Sequence, residues 1–145
     1  MARKGRACDA WRLLLGVLAA ERSRLPAIAA ALGLSQAQCQ VLERLDPNVP
    51  VAMCRVAKAL DCDPSNVTGI VDRLEAQGLV VRRADATDRR VKNLVLTPAG
   101  LALRARLIER LSEPPSGFEG LPAEDQERLV AILHRAFAAE PRKLS

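Results

Sequence analysis

The stretch from Pro64 to Gly100, PSNVTGIVDRLEAQGLVVRRADATDRRVKNLVLTPAG, leaves the chain few folds to choose from. It opens as one short helix with both ends marked. Asp63 is an N-cap residue whose carboxylate can accept from the free N–H groups of the first turn. Pro64 suits the first helical position, where no N–H partner is needed. Val67, Ile70, Val71 and Leu74 recur at i, i+3, i+4 and i+7, which makes one apolar stripe. Gly78 marks the end, since a left-handed residue after the helix costs glycine nothing. Leu79-Val80-Val81 and Asn93 to Leu96 then read as strands, rich in β-branched and aliphatic residues. Between them Arg82, Arg83, Arg89, Arg90 and Lys92 outnumber Asp85 and Asp88, five cations against two anions, a net +3.

The other face of the helix is small and polar: Ser65, Asn66, Thr68, Gly69, Asp72 and Arg73. Alone, such a face belongs to any amphipathic helix. Beside a basic hairpin it makes a two-pronged nucleic-acid reader, with short side chains and free N–H groups that favour phosphate. The helix suits the major groove, and the hairpin tip suits phosphates or the narrower minor groove.

These residues resemble the winged helix-turn-helix of the MarR family of transcriptional regulators. The matching residues are Ser65-Asn66-Val67-Thr68, Val71-Asp72-Arg73-Leu74-Glu75-Ala76-Gln77-Gly78-Leu79-Val80, Asp85, Asp88-Arg89-Arg90 and Leu96-Thr97-Pro98-Ala99-Gly100. The run Asp72 to Leu79 occurs in other winged helices too. Its combination with the Asp-x-Arg tip and the Leu-Thr-Pro-x-Gly exit is specific. The resemblance covers roughly residues 9 to 139 and implies a mostly α fold with a small β-hairpin wing and a helical dimerisation region. Residues 50–97 are expected to form the DNA-binding unit, and 9–46 with 98–139 the dimerisation helices, within one domain of residues 1–145. It also implies a cytoplasmic homodimer on double-stranded DNA, a ligand- or redox-responsive repressor with no cofactor. Ser65, Asn66, Thr68 and Gly69 would face base edges or nearby phosphates, and Arg73 a phosphate. Asp88 would hold the wing, Arg90 would enter the minor groove, and Arg82, Arg83, Arg89 and Lys92 would neutralise phosphates. Position 39, usually aromatic in similar proteins, is Cys39 here, near where the family forms its effector cavity.

The rest of the chain reads as helices. Asp9 to about Arg22 carries Leu14, Leu15 and Leu18 on one side, and Ala27 to Leu32 continues after Pro26, a start or a kink. Ser35 caps a helix to Leu45 that buries Val41, Leu42 and Leu45. Val51 to Leu60 forms the next, joined to the helix after Asp63 by Asp61-Cys62-Asp63, a helix-turn-helix. Thr97 caps a helix from Pro98 to about Leu111. Ser112 to Gly120 is a Pro/Gly-rich connection. A last helix runs from Pro122 to about Ala139 and buries Leu129, Val130, Leu133 and Phe137.

The net charge of +5 suits a polyanionic partner, although charge alone says little. Arg3, Lys4 and Arg6 before Leu13–Ala20 imitate a signal peptide, but Asp9 and Arg12 interrupt it and the apolar run is short, which favours an amphipathic helix. No run is long enough to span a membrane. Cys8, Cys39, Cys54 and Cys62 form no C-x-x-C pair, and His134 is the only histidine, so a zinc site is not expected. Each cysteine reads first as a small buried hydrophobe. A thiol enzyme lacks a credible base. A winged helix used only for protein contacts calls for a neutral or apolar wing, which this is not.

Overall fold

The computed structural model describes residues 2–138, with side chains from residue 5. The expected helix end at Ala139 and the side chains of Arg3 and Lys4 lie outside those bounds. The chain falls into two compact units that divide between Leu111 and Ser112.

In the first unit, α1 (Ala2–Ala31) leads to α2 (Gln36–Arg44), β1 (Val51–Ala52), α3 (Met53–Leu60), α4 (Pro64–Ala76), β2 (Val80–Ala84), β3 (Lys92–Leu96) and α5 (Pro98–Ser112). The three strands form one antiparallel sheet in the order β1-β3-β2. One aliphatic core joins Ile28 and Ala29 of α1, Cys39, Val41 and Leu42 of α2, Val56 of α3, Val67, Val71 and Leu74 of α4, Val80, Leu94 and Leu96 of the sheet, and Leu107 of α5.

Local chemistry fixes most element ends. Ser35 and Gln38 form a reciprocal capping box at the start of α2. At the end of α4, Gly78 takes φ +69°, the Gly78 N–H donates to Glu75 O (2.9 Å) and the Leu79 N–H to Leu74 O (2.9 Å). That is a Schellman stop. Asp61 ends α3 at φ 50°, a left-handed position that aspartate tolerates. Arg104 of α5 donates from Nε to Leu42 O (3.1 Å) and from Nη2 to Glu43 O (3.5 Å), which satisfies carbonyls in the last turn of α2.

The junction from β3 into α5 is tight. Thr97 Oγ1 accepts from the Gly100 N–H at 3.0 Å, an N-cap, and donates to Gly78 O at 2.6 Å. The Thr97 N–H donates to Leu79 O at 3.1 Å. Gly100 lies against the same carbonyl, and a Cβ there would sit 1.9 Å from Leu79 O. The Leu-Thr-Pro-x-Gly motif is therefore the clasp between α5 and the start of the wing.

Several expectations are corrected. The first helix begins at Ala2 rather than Asp9 and runs to Ala31 with Pro26 inside it, so of the two readings of Pro26 a separate helix start is the one set aside, because one missing N–H removes a single bond from a long helix. Val51 and Ala52 are not helical. They pair with Leu94 and Asn93 as a third strand, which suits a β-branched residue following Pro50. Asp63 holds the N-cap position of α4 but its carboxylate makes no capping bond. Its backbone carbonyl instead accepts from Asn66 and Val67.

The second unit contains the one-turn α6 (Ser116–Glu119), inside the expected loop, and α7 (Ala123–Phe137). Leu129, Val130, Leu133 and Phe137 were expected to be buried, yet α7 has no buried residue in the single chain. Val130 is 55% and Phe137 47% exposed. Helix α1 is likewise apolar and open, with Leu13 74% and Leu18 53% exposed.

Candidate nucleic-acid interface

The buried stripe of α4 turns its opposite face outward, and Ser65, Asn66, Thr68, Gly69, Asp72 and Arg73 are all exposed. Thr68 Oγ1 donates to Pro64 O at 2.9 Å. Its hydroxyl proton is thus taken, and the group offers outward an acceptor oxygen and a methyl. Gly69 leaves open space where a Cβ would stand. Arg73 has no ion-pair partner among the described residues.

Strand alternation decides which cations of the hairpin point outward. Val80 pairs with Leu96 and Arg82 with Leu94, so Arg82 shares the inner face with three buried side chains. Arg82 accordingly turns back onto α4. Nη1 donates to Glu75 Oε2 (2.5 Å), and Nη2 to Asp72 Oδ1 (2.5 Å) and to Thr68 O (3.2 Å). The Arg82 N–H donates to Glu75 Oε1 at 3.1 Å. Its side chain is only 22% exposed. The phosphate role expected for Arg82 is therefore not what the geometry offers, since both terminal nitrogens of its guanidinium already donate to α4. Arg73 does not take these carboxylates, because Arg82 holds both.

Arg83, on the outer face, is exposed, as are Arg89, Arg90 and Lys92 around the tip. None of the four has an ion-pair partner among the described residues. The tip is held by carboxylates. Asp85 Oδ1 accepts from the Thr87 hydroxyl (2.6 Å), the Thr87 N–H (2.9 Å) and the Asp88 N–H (3.2 Å), and Oδ2 from Asn93 Nδ2 (2.9 Å). These donors, the Thr87 hydroxyl foremost, hold the Asp85 carboxyl well below the usual carboxylate range, so it stays ionised in mild acid. Asp88 Oδ1 accepts the Arg90 N–H at 2.9 Å. Asp85 is legible in the sequence as a motif residue, but its organising role is not. The Asp-x-Thr spacing that closes a turn on its own carboxylate is the available signal.

Cys39 is 1% exposed within the core, and burial pushes its thiol up, with Glu43 adding to the shift. A protonated, enclosed thiol suits packing rather than oxidant sensing. Cys8, Cys54 and Cys62 are exposed, against the expectation of small buried hydrophobes. Each stands on an outward helix face or in a turn. Among the described residues no three His, Cys, Asp or Glu side chains are grouped to hold a metal ion. No single described helix is long and apolar enough to cross a membrane.

The model of the MarR family matches residues 32–91, the span from the end of α1 to the wing tip. A transcriptional regulatory protein for the hcr operon of Thauera aromatica is 28% identical over 128 residues, 88% of this chain and 77% of its own length. The transcriptional repressor MdtR of Bacillus subtilis is 37% identical over 68 residues, 47% of this chain and 44% of its own. Among solved structures, a MepR variant of Staphylococcus aureus bound to an oligodeoxyribonucleotide superposes with a TM-score of 0.67 at 22% identity, covering 90% of this chain and 96% of that one. The matched family and relatives are transcriptional regulators rather than enzymes.

Proposed function

Since this chain belongs to the MarR family, we propose that it is a homodimeric, sequence-specific regulator that reads double-stranded DNA with α4 and grips the backbone with its wing. The observation that carries this reading is an outward α4 face of small polar residues beside a wing tip whose cations have no ion-pair partner among the described residues. Ser65, Asn66, Thr68 and Gly69 meet base edges, with Arg73 at a flanking phosphate. Arg90 enters the minor groove, and Arg83, Arg89 and Lys92 neutralise phosphates, with Asp88 and Asp85 holding the tip. Residues 50–97 form the reading unit, and the helices within 9–46 and 98–138 the dimerisation region. Repression is the mode of action, by analogy with a relative that is a repressor, and its release by a small ligand is what the family resemblance implies. A winged helix used only for protein contacts fits less well, because it has no use for a tip this basic.

The two prongs are expected to fail differently. Asn66→Ala or Thr68→Ala should relax sequence preference by ~1–3 kcal/mol for each base edge no longer read. Arg90→Ala should weaken binding to all sequences and shallow the salt dependence by about one unit for each phosphate no longer neutralised. Salt titrations of each variant on a duplex selected from a random pool, and on the pool itself, separate the two. Wild-type binding by Arg90→Ala on both would remove the wing from the interface.

Dimerisation is supported by the uncovered apolar side chains of α1 and α7, which water disfavours. Sedimentation should give about twice 15.7 kDa. Leu107 is fully buried in the single chain, so an aspartate there would unfold the protein and report nothing on association. Leu13, 74% exposed, is the better probe. Leu13→Asp should stay folded, sediment as a single chain and lose tight DNA binding. A wild-type protein that sediments as a single chain and still binds tightly would refute the dimer.

A further inference from the structure

A cleft of about 330 Å³ opens between the end of α2 and the outer side of α3, lined by Arg44, Asp46, Val49, Pro50, Val51, Arg55, Val56 and Ala59. Neither guanidinium has a hydrogen bond or ion pair among the described residues. The reasons are built into the fold. An arginine in the last turn of a helix ordinarily serves the terminal carbonyls, but Arg104 from α5 already takes Leu42 O and Glu43 O. Arg44 is thereby left over. Helix α3, MCRVAKAL, has no acidic residue to pair with Arg55 at any spacing. Asp46 is engaged in its own turn, where Oδ1 accepts the N–H groups of Asn48 (2.7 Å) and Val49 (3.0 Å). That turn shapes the rim and keeps one carboxylate oxygen occupied.

Two like charges facing one cleft repel each other unless an anion lies between them. The remaining wall is aliphatic: Val49 and Pro50 on the loop, Val51 on β1, and on α3 the buried Val56 and the exposed Ala59. No aromatic ring lines it. We propose that this cleft binds a small organic carboxylate with an aliphatic body, the carboxylate held between Arg44 and Arg55 and the chain laid on the valine wall. Guanidinium forks match a carboxylate in shape as well as charge. The site is a candidate effector site for the regulator proposed above, and the clause about regulation rests on that reading. The binding itself does not, because both walls belong to the protein alone. Val51 of β1 pairs with Leu94 of β3, so an occupant touches the strand that is hydrogen-bonded to the wing and the first helix of the helix-turn-helix together.

The test uses the full-length chain without DNA. Hexanoate is titrated into isotopically labelled protein, with hexanamide as the uncharged match and inorganic phosphate as the anion without an apolar body. Hexanoate should shift amide resonances from residues 44–59 with a Kd of about 1 mM, the order expected for a ligand of that size. Hexanamide and phosphate should each bind at least tenfold more weakly. Arg44→Gln combined with Arg55→Gln, both on the surface, should abolish the shifts while leaving the rest of the spectrum unchanged. Shifts elsewhere in the chain, equal binding of hexanamide or phosphate, or shifts that survive the double substitution would each overturn the proposal. In a separate titration, failure of the ligand-free wild type to bind any duplex would instead count against the regulator reading, with the carboxylate site unaffected.

Discussion

Gly100→Ala is expected to destabilise the first unit by about 2–4 kcal/mol, the range for forcing a methyl group into occupied space and breaking a hydrogen bond with it. The added Cβ would lie 1.9 Å from Leu79 O and 2.9 Å from the Leu79 carbonyl carbon. Both are backbone atoms, so no side chain can swing aside. The same carbonyl accepts the Thr97 N–H at 3.1 Å. Relief therefore means pulling α5 away from the start of β2 and opening the clasp. Against a total stability of about 5–15 kcal/mol for an ordinary domain, that is a large share. Gly69→Ala is the control. A Cβ there meets open space, and replacing a mid-helix glycine should leave stability unchanged or raise it by up to ~1 kcal/mol. Urea denaturation of the three proteins measures both. Equal midpoints for Gly100→Ala and wild type would mean that α5 does not approach Leu79 this closely in solution.

Arg82→Ala is expected to lower DNA affinity about tenfold per subunit, ~1.4 kcal/mol, although its side chain is turned away from the solvent-facing cations. Arg82 ties β2 to Asp72, Glu75 and the Thr68 carbonyl of α4. Without it the two prongs are no longer held at one spacing, and two carboxylates lose their counter-charge beside the DNA. The salt dependence distinguishes this role from direct contact. Removing a cation that sits on a phosphate reduces the slope by about one unit, whereas removing a brace leaves the slope unchanged while affinity falls. Arg82→Lys should rescue little, since one ammonium cannot span acceptors that a planar fork reaches together. A reduced slope with an intact wing would return Arg82 to the phosphate-binding set.

How far the sequence is readable depends on which interaction decides each residue. The stripe Val67, Ile70, Val71, Leu74 and the stop at Gly78 are local, and α4 follows them. The Leu-Thr-Pro-x-Gly exit is visible as a motif, but its reason, the approach of Gly100 to Leu79, is a contact between elements and has no local signature. Arg82 is misread when it is counted with its neighbours as charge. Alternation from buried Val80 already puts it on the inner face. Val51 and Ala52 are drawn into α3 because Met53, Val56, Ala57 and Leu60 continue the helical period. What removes them is the edge of β3, a tertiary partner that overrides propensity. The apolar residues of α7 need cover, but a sequence does not say whether that cover comes from the same chain. Cys39 is placed by resemblance beside a cavity, and its environment is the core.

The central claim is that exposed α4 residues read bases while unpaired wing cations grip phosphates. Its most direct test is the affinity of the wild-type protein for a duplex selected from a random pool and for the unselected pool, between about 50 and 200 mM salt. Binding to both should weaken steeply with salt, by about 10³-fold or more for six or more phosphate contacts. The selected duplex should stay about 10³-fold or more tighter than the pool at every salt concentration. Binding that ignores salt, or a selection that yields no preferred sequence, would contradict it.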